Sequence, residues 1–303
     1  MSLRDAIAAA TSGNVYPVLK RGVRTWRRFR LRFSPKLEED RVGYILHDLL
    51  GVRAGGVVFV HSSLDRLNLG FSAPQLLRVL LQTIGADGTV LFPCTQISGR
   101  AEAYLRSNAI FDVRRSPTTM GLLSEVARRY PGALRSAHPT HSVVAIGRHA
   151  RELIESHEHS IYPCDANSPY YKIVDFDGII IGLGVTTRQL SFIHCVEDNL
   201  RDRFPLRTRT EEVFRATVRD RQGREVTIPT VAQTDVTRWL DIPRFMKRHV
   251  DPAVCRALRL DGVDFFTARA RQLYVRMEEL ALKNVTCYTR GAYTRYARAR
   301  ALS

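Results

Sequence analysis

The chain has 303 residues, 45% of them hydrophobic, and carries 46 Lys/Arg against 30 Asp/Glu for a formal net charge of +16. That length suits one large α/β domain or two smaller ones, and the apolar content supplies a sizeable core without help from a metal or disulfides. Its five cysteines, at 94, 164, 195, 255 and 287, are scattered, odd in number and form no Cys-x-x-Cys pair, which argues against a Cys-based zinc site and for a reducing, cytoplasmic setting.

The charge is uneven. Residues 1–41 carry +6 and residues 283–303 carry +5, while everything between adds only +5. The stretch from Lys20 to Lys36 holds eight basic residues and no acid, with Val23, Trp26 and Phe33 at helical spacing. It reads either as an amphipathic segment suited to peripheral contact with the inner membrane surface, or as one whose aromatics pack on the domain while its arginines stay solvated. Such a balance invites anionic partners. No nucleic-acid motif accompanies it, so no specific nucleic-acid partner is expected. No apolar run reaches the roughly 18 residues that span a bilayer. The apolar start Ala6–Ala10 is broken at once by Thr11, Ser12, Gly13 and Asn14, so no signal peptide is expected. The division implied is a basic N-terminal extension, 1–41, and a single domain, 42–303, compatible with a homo-oligomer.

The central region alternates strands and helices. Val57–Val60 predicts a strand, Ser72 or Pro74 opens a helix through Ile84, and Thr89–Phe92 is the next strand, stopped by Pro93. Met120–Tyr130 predicts a helix, 142–146 a strand and 148–159 a helix. The glycine-bounded run Gly178–Gly184 then reads as a buried strand. From about Leu206 the pattern changes: 212–219 and 224–228 alternate around Asp220-Arg221-Gln222-Gly223, a hairpin signal, and helices are expected near 235–249 and 264–283. The fold class is therefore α/β, a central mixed sheet flanked by helices, with a C-terminal antiparallel hairpin and helical cap over about 206–303.

The segment Ser191-Phe192-Ile193-His194-Cys195-Val196-Glu197 follows the buried strand after a polar turn. On a helix His194 and Glu197 share a face, with Ser191 one turn earlier. A hydroxyl, an imidazole and a carboxylate projecting from a strand end can take a proton from an amine or hydroxyl nucleophile, or can simply be a solvated pair. Cys195 points about 100° away around such a helix. Directly after the first central strand stands His61-Ser62-Ser63-Leu64, where small hydroxyl residues leave backbone N–H groups open to a phosphate or carbonyl oxygen, or where Ser62 or Ser63 caps a helix. Three more polar segments lie between: Phe111-Asp112 to Ser116-Pro117-Thr118-Thr119-Met120-Gly121, Arg135-Ser136-Ala137-His138-Pro139-Thr140-His141-Ser142, and Ser168-Pro169-Tyr170.

In this order the five elements resemble the aminoglycoside 3-N-acetyltransferase family, across residues 55–200. The resemblance implies an enzyme that moves an acetyl group from acetyl-CoA to an amine of an amino sugar by direct attack, without a metal. It implies His194 as essential histidine, Glu197 as its paired carboxylate and His61 as a second active-site histidine. Ser62, Ser63 and Leu64 match the turn that meets coenzyme A. Ser116, Thr118, Met120, His138 and Thr140 fall in segments expected to line the same cleft, and Ser191 replaces the family's usual threonine while keeping its hydroxyl. The strongly basic chain makes a phosphate-bearing, nucleotide-linked or polysaccharide-linked amino sugar the expected acceptor, with Asp198, Asp202, Glu211 and Glu212 as local acids that could instead serve a polycationic aminoglycoside. An acidic acyl carrier protein is a further donor class. A metal-hydrolase site built from His138, His141, His157, His159, His194 and Glu197 lacks a dedicated zinc pattern. Gly182-Leu183-Gly184 lacks the third glycine of a dinucleotide fingerprint. A non-catalytic polyanion-binding module on a degenerate transferase fold is the alternative of another class.

Overall fold

The computed structural model describes residues 35–298; most of the basic segment 20–36 therefore lies outside the described residues. Seven strands form the main sheet in the order β4-β5-β2-β1-β6-β10-β9. These are β1 (Val57–Ser62), β2 (Thr89–Pro93), β4 (Leu134–Arg135), β5 (Val143–Gly147), β6 (Ile179–Leu183), β9 (Cys255–Leu260) and β10 (Val263–Arg269). β1 runs parallel to β2 and β6, and the remaining pairs are antiparallel. A second sheet joins β3 (Phe111–Asp112), β7 (Arg209–Arg219) and β8 (Glu225–Gln233).

Strand alternation sends successive side chains to opposite faces, and here both faces are covered. Phe59, Leu91 and Ile180 point into one core, with α4 (Ile193–Leu200), α5 (Ile242–His249) and α6 (Ala270–Leu282). Val58, Val60, Val90, Phe92, Ile181 and Leu183 point into the other, with α1 (Glu39–Tyr44), α2 (Ala73–Ile84) and α3 (Leu122–Arg128). Two covered faces explain why the strands read as unbroken apolar runs. The helix at 72–84 follows its sequence signals: Ser72 and Gln75 form a capping box, and the helix stops at Gly85 with φ +67°.

The C-terminal region differs from the expectation. The 209–233 hairpin is present, but β9 and β10 are a second hairpin that completes the main sheet beside β6. Only 270–282 of the stretch read as helix is helical. The signal was Asp261-Gly262, with φ 48° and 79°, a two-residue turn between Leu260 and Val263. β10 also explains Gly182: a Cβ there would lie 2.1 Å from the Phe266 ring. Among the described residues no helix is long and apolar enough to cross a membrane.

Candidate active site

The site lies where the parallel strands β1 and β6 end. Residues 57, 59 and 61 share a sheet face, so His61 points to the α4 side while Ser62 points to the other. The His61 ring stacks on Phe59 at 5.3 Å and lies 6.3 Å from Phe266. Its Nε2 is 3.4 Å from the Ser191 hydroxyl. Burial lowers the His61 pKa to about 4, so it is a neutral ring at working pH.

The chain leaves β6 at Gly184, whose φ of +69° and close approach to the Ser63 carbonyl admit only glycine. It then enters α4, and the (i, i+3) spacing does what the sequence suggested. His194 Nδ1 lies 2.9 Å from Glu197 Oε2. The structure adds two partners. The Tyr288 hydroxyl donates to Glu197 Oε1 at 2.7 Å, and the Gln233 amide lies 3.3 Å from His194 Nε2. Both Glu197 oxygens are thereby engaged in a carboxylate only 3% exposed, which shields it from direct contact with an acceptor. Burial alone would raise the Glu197 pKa. The neighbouring His194 and Arg209, with the hydrogen bonds from His194 and Tyr288, outweigh it and hold the carboxyl below its usual range. Tyr288 is pushed well up, by burial and then by Glu197, and stays a neutral donor.

Other expected site residues divide. Gly121, at φ +103°, would place a Cβ 4.0 Å from the Ser62 carbonyl, so the chain at Gly121 passes beside the His61–Leu64 turn. Thr118 donates to the Thr95 carbonyl at 3.0 Å and accepts from the Met120 N–H at 3.1 Å, shaping that loop. Ser62, Ser63 and Leu64 are half-buried, but the Ser63 N–H is committed to the Leu183 carbonyl at 2.9 Å, because strand pairing continues into the turn. The Ser116 hydroxyl is buried and accepts from the Asp112 N–H at 2.9 Å. His138 is fully buried. Its Nε2 lies 3.2 Å from the Ser160 carbonyl, its Nδ1 accepts from the Thr140 N–H at 3.3 Å, and its ring stacks on His157 at 4.6 Å. Thr140 is buried too, its hydroxyl shared between His138 and His141. Ser116, His138 and Thr140 are thus buried and hydrogen-bonded within the wall beside the site. Arg135 reinforces it, reaching the Ser116 carbonyl at 2.5 Å and stacking on Phe111.

The local acids are spoken for. Asp198 is buried in a bidentate pair with Arg209 at 2.7 and 2.8 Å. Asp202 pairs with Arg298, Glu211 with Arg207 and Glu212 with Arg106. Among the described residues no group of three His, Cys, Asp or Glu side chains could hold a metal ion. Sequence reasoning missed Tyr288, Gln233 and Arg209, none of which belongs to a local motif.

A histidine held by a buried carboxylate, one turn after a hydroxyl that meets a second histidine at the ends of parallel strands, is an arrangement able to move a proton during group transfer. A model of the aminoglycoside 3-N-acetyltransferase family matches residues 59–280, most of the chain, and the chain belongs to that family. It is 28% identical over 169 residues to aminoglycoside N(3)-acetyltransferase IX of Micromonospora chalcea, covering 50% of this chain and 60% of that one. It is 26% identical over 165 residues to the prophage-derived aminoglycoside N(3')-acetyltransferase-like protein YokD of Bacillus subtilis, covering 49% and 60%. The chain thus spans about 60% of the length of these curated relatives. Among solved structures, AAC-IIIb in a binary complex with CoASH superposes with a TM-score of 0.68 at 19% identity, covering 84% of this chain and 100% of that one. AAC-VIa bound to sisomicin gives 0.67 at 22%, covering 83% and 99%. At these identities the structures show the shared fold.

Proposed function

We propose that the protein is an acetyl-CoA-dependent N-acetyltransferase of amino sugars, with His194 as general base. The observation that carries this is the buried Tyr288–Glu197–His194 chain ending at Nε2. Glu197 holds the proton on Nδ1, which leaves the Nε2 lone pair for the attacking amine once the Gln233 amide moves aside. The His61–Leu64 turn, Met120 and Ser191 would hold the thioester end of acetyl-CoA, which supplies the acetyl group. With Nε2 protonated, the neutral His61 donates to Ser191 Oγ, and the Ser191 hydroxyl in turn donates to the oxyanion. The new C–N bond forms as the C–S bond breaks, and the proton on His194 passes to the departing thiolate. Glu197 acts through the ring, since its oxygens are occupied.

Family membership favours an aminoglycoside acceptor. One observation favours a second reading, an amino sugar carrying phosphate or a nucleotide: Asp198, Asp202, Glu211 and Glu212 are each paired with an arginine, which offsets the attraction they would offer a polycation. Release of the CoA thiol, followed with kanamycin-type drugs and with phosphorylated amino sugars, separates the two. Loss of turnover in His194→Ala with acetyl-CoA binding retained is expected. A wild-type protein that neither binds acetyl-CoA nor acetylates any amine would instead be the non-catalytic module.

A further inference from the structure

At the end of α4 away from His194 lies a polar cleft of about 430 Å³, lined by Asp165, Asn167, Asn199, Arg201, Asp202 and Arg203 together with Ala166 and Leu200. Arg201 is seven positions after His194 and directly follows Leu200, the last helical residue, so the two backbones are about 10 Å apart along the axis of α4. Arg201 has φ 50° and ψ −113°, a backbone that an arginine keeps only where its surroundings impose it, and such strain gathers at ligand sites. Its guanidinium lies 5.0 Å over the Tyr162 ring.

The charges in the cleft do not cancel. Asp202 is paired with Arg298 at 2.5 Å. Asp165 is buried and accepts from the Ser160 hydroxyl at 2.7 Å and the Asn167 N–H at 3.0 Å. Arg203 is exposed and has no carboxylate within salt-bridge distance among the described residues. The Asn199 amide nitrogen donates to the Cys195 carbonyl, which leaves its oxygen open. The carboxylate of Asp165 offsets Arg201 in part, so the cleft keeps one uncompensated guanidinium, that of Arg203, beside two carboxamides. Carboxamides match sugar hydroxyls, and planar guanidiniums match phosphate oxygens.

We propose that this cleft is a binding site for a phosphorylated sugar, the non-reacting part of the acceptor. Its role toward an acceptor rests on the acyltransferase reading above, whereas binding does not. Isothermal titration of the full chain with glucosamine 6-phosphate, glucosamine and acetyl-CoA tests it, in the wild type and in Arg203→Ala and Arg201→Gly. Glycine accepts the positive φ at 201, so that variant removes the guanidinium without new strain. The wild type is expected to bind glucosamine 6-phosphate at least about tenfold more tightly than glucosamine, and each variant to lose about tenfold, the scale of one charged hydrogen bond. Glucosamine and acetyl-CoA affinities stay unchanged. Equal binding of both sugars by the wild type, or undiminished phosphate preference in both variants, overturns the proposal. A loss confined to acetyl-CoA assigns the arginines to the donor's phosphates and overturns it too. Selective binding of the phosphorylated sugar without acetyl transfer by the wild type supports the cleft and counts against the acyltransferase reading.

Discussion

Tyr288→Phe tests the site through a residue that lies beyond the family-matched segment 59–280. The substitution removes one oxygen and keeps the ring, so the packing around a side chain that is 5% exposed is preserved. What is lost is a hydrogen bond of 2.7 Å to a buried carboxylate. Hydrogen bonds to charged groups contribute about 1.5–3 kcal/mol, and the upper half applies where the abandoned oxygen cannot reach water. For a chain of this size about 2 kcal/mol lowers Tm by about 3 °C. Because Tyr288 touches Glu197 and not the reactants, kcat should fall while KM for either substrate stays level; about threefold to tenfold corresponds to the roughly 0.5–1.5 kcal/mol net contribution of one hydrogen bond. Thermal melts and initial rates of thiol release measure both. The double variant with Glu197→Gln supplies the control, since the two effects should be non-additive by at least about 1 kcal/mol if one bond links them. A Tyr288→Phe protein with wild-type Tm and kcat, or strict additivity in the cycle, would refute the reasoning.

Other outcomes follow from the same geometry. His194→Ala should lower kcat by about 10²–10⁴, the usual share of a general base, and titration calorimetry should find acetyl-CoA affinity intact; lost affinity would place His194 in binding instead. Burial lowers His61 to about 4 and His157 to about 3. The unfolded chain therefore takes up these protons first: stability is full above about 6.5 and falls as pH drops, by about 5 kcal/mol for the two together at pH 4.5. Urea unfolding at pH 7 and pH 4.5 measures this, and a flat profile would sink it. Arg209→Met alone strands the buried Asp198 and should cost about 3–5 kcal/mol, whereas Arg209→Met with Asp198→Leu should recover most of that; a double variant less stable than the single one contradicts this account.

Much of the site was legible because it is local. The His194–Glu197 contact needs only helical spacing, and the side of β1 that carries His61 needs only strand alternation. The Asp261-Gly262 turn was equally local and went unread, because the aromatic pair Phe265-Phe266 beyond it fits a helix as well as a strand. The acids were misjudged for another reason: Asp198 looks available in the sequence, and only the approach of Arg209 from β7 commits it.

The order of motifs along the chain pointed to the family, while the apolar strands and the histidine–carboxylate couple were readable because each depends on neighbours within one turn or one strand. Tertiary structure alone decided the rest. Tyr288 reaches Glu197 across 91 residues and Gln233 reaches His194 across 39, and no periodicity records contacts made by chain segments that meet only when the sheet closes. The same holds for His138, whose burial turns an apparent cleft residue into a strut, and for the charge near the acceptor side, which depends on which arginine each acid meets in space.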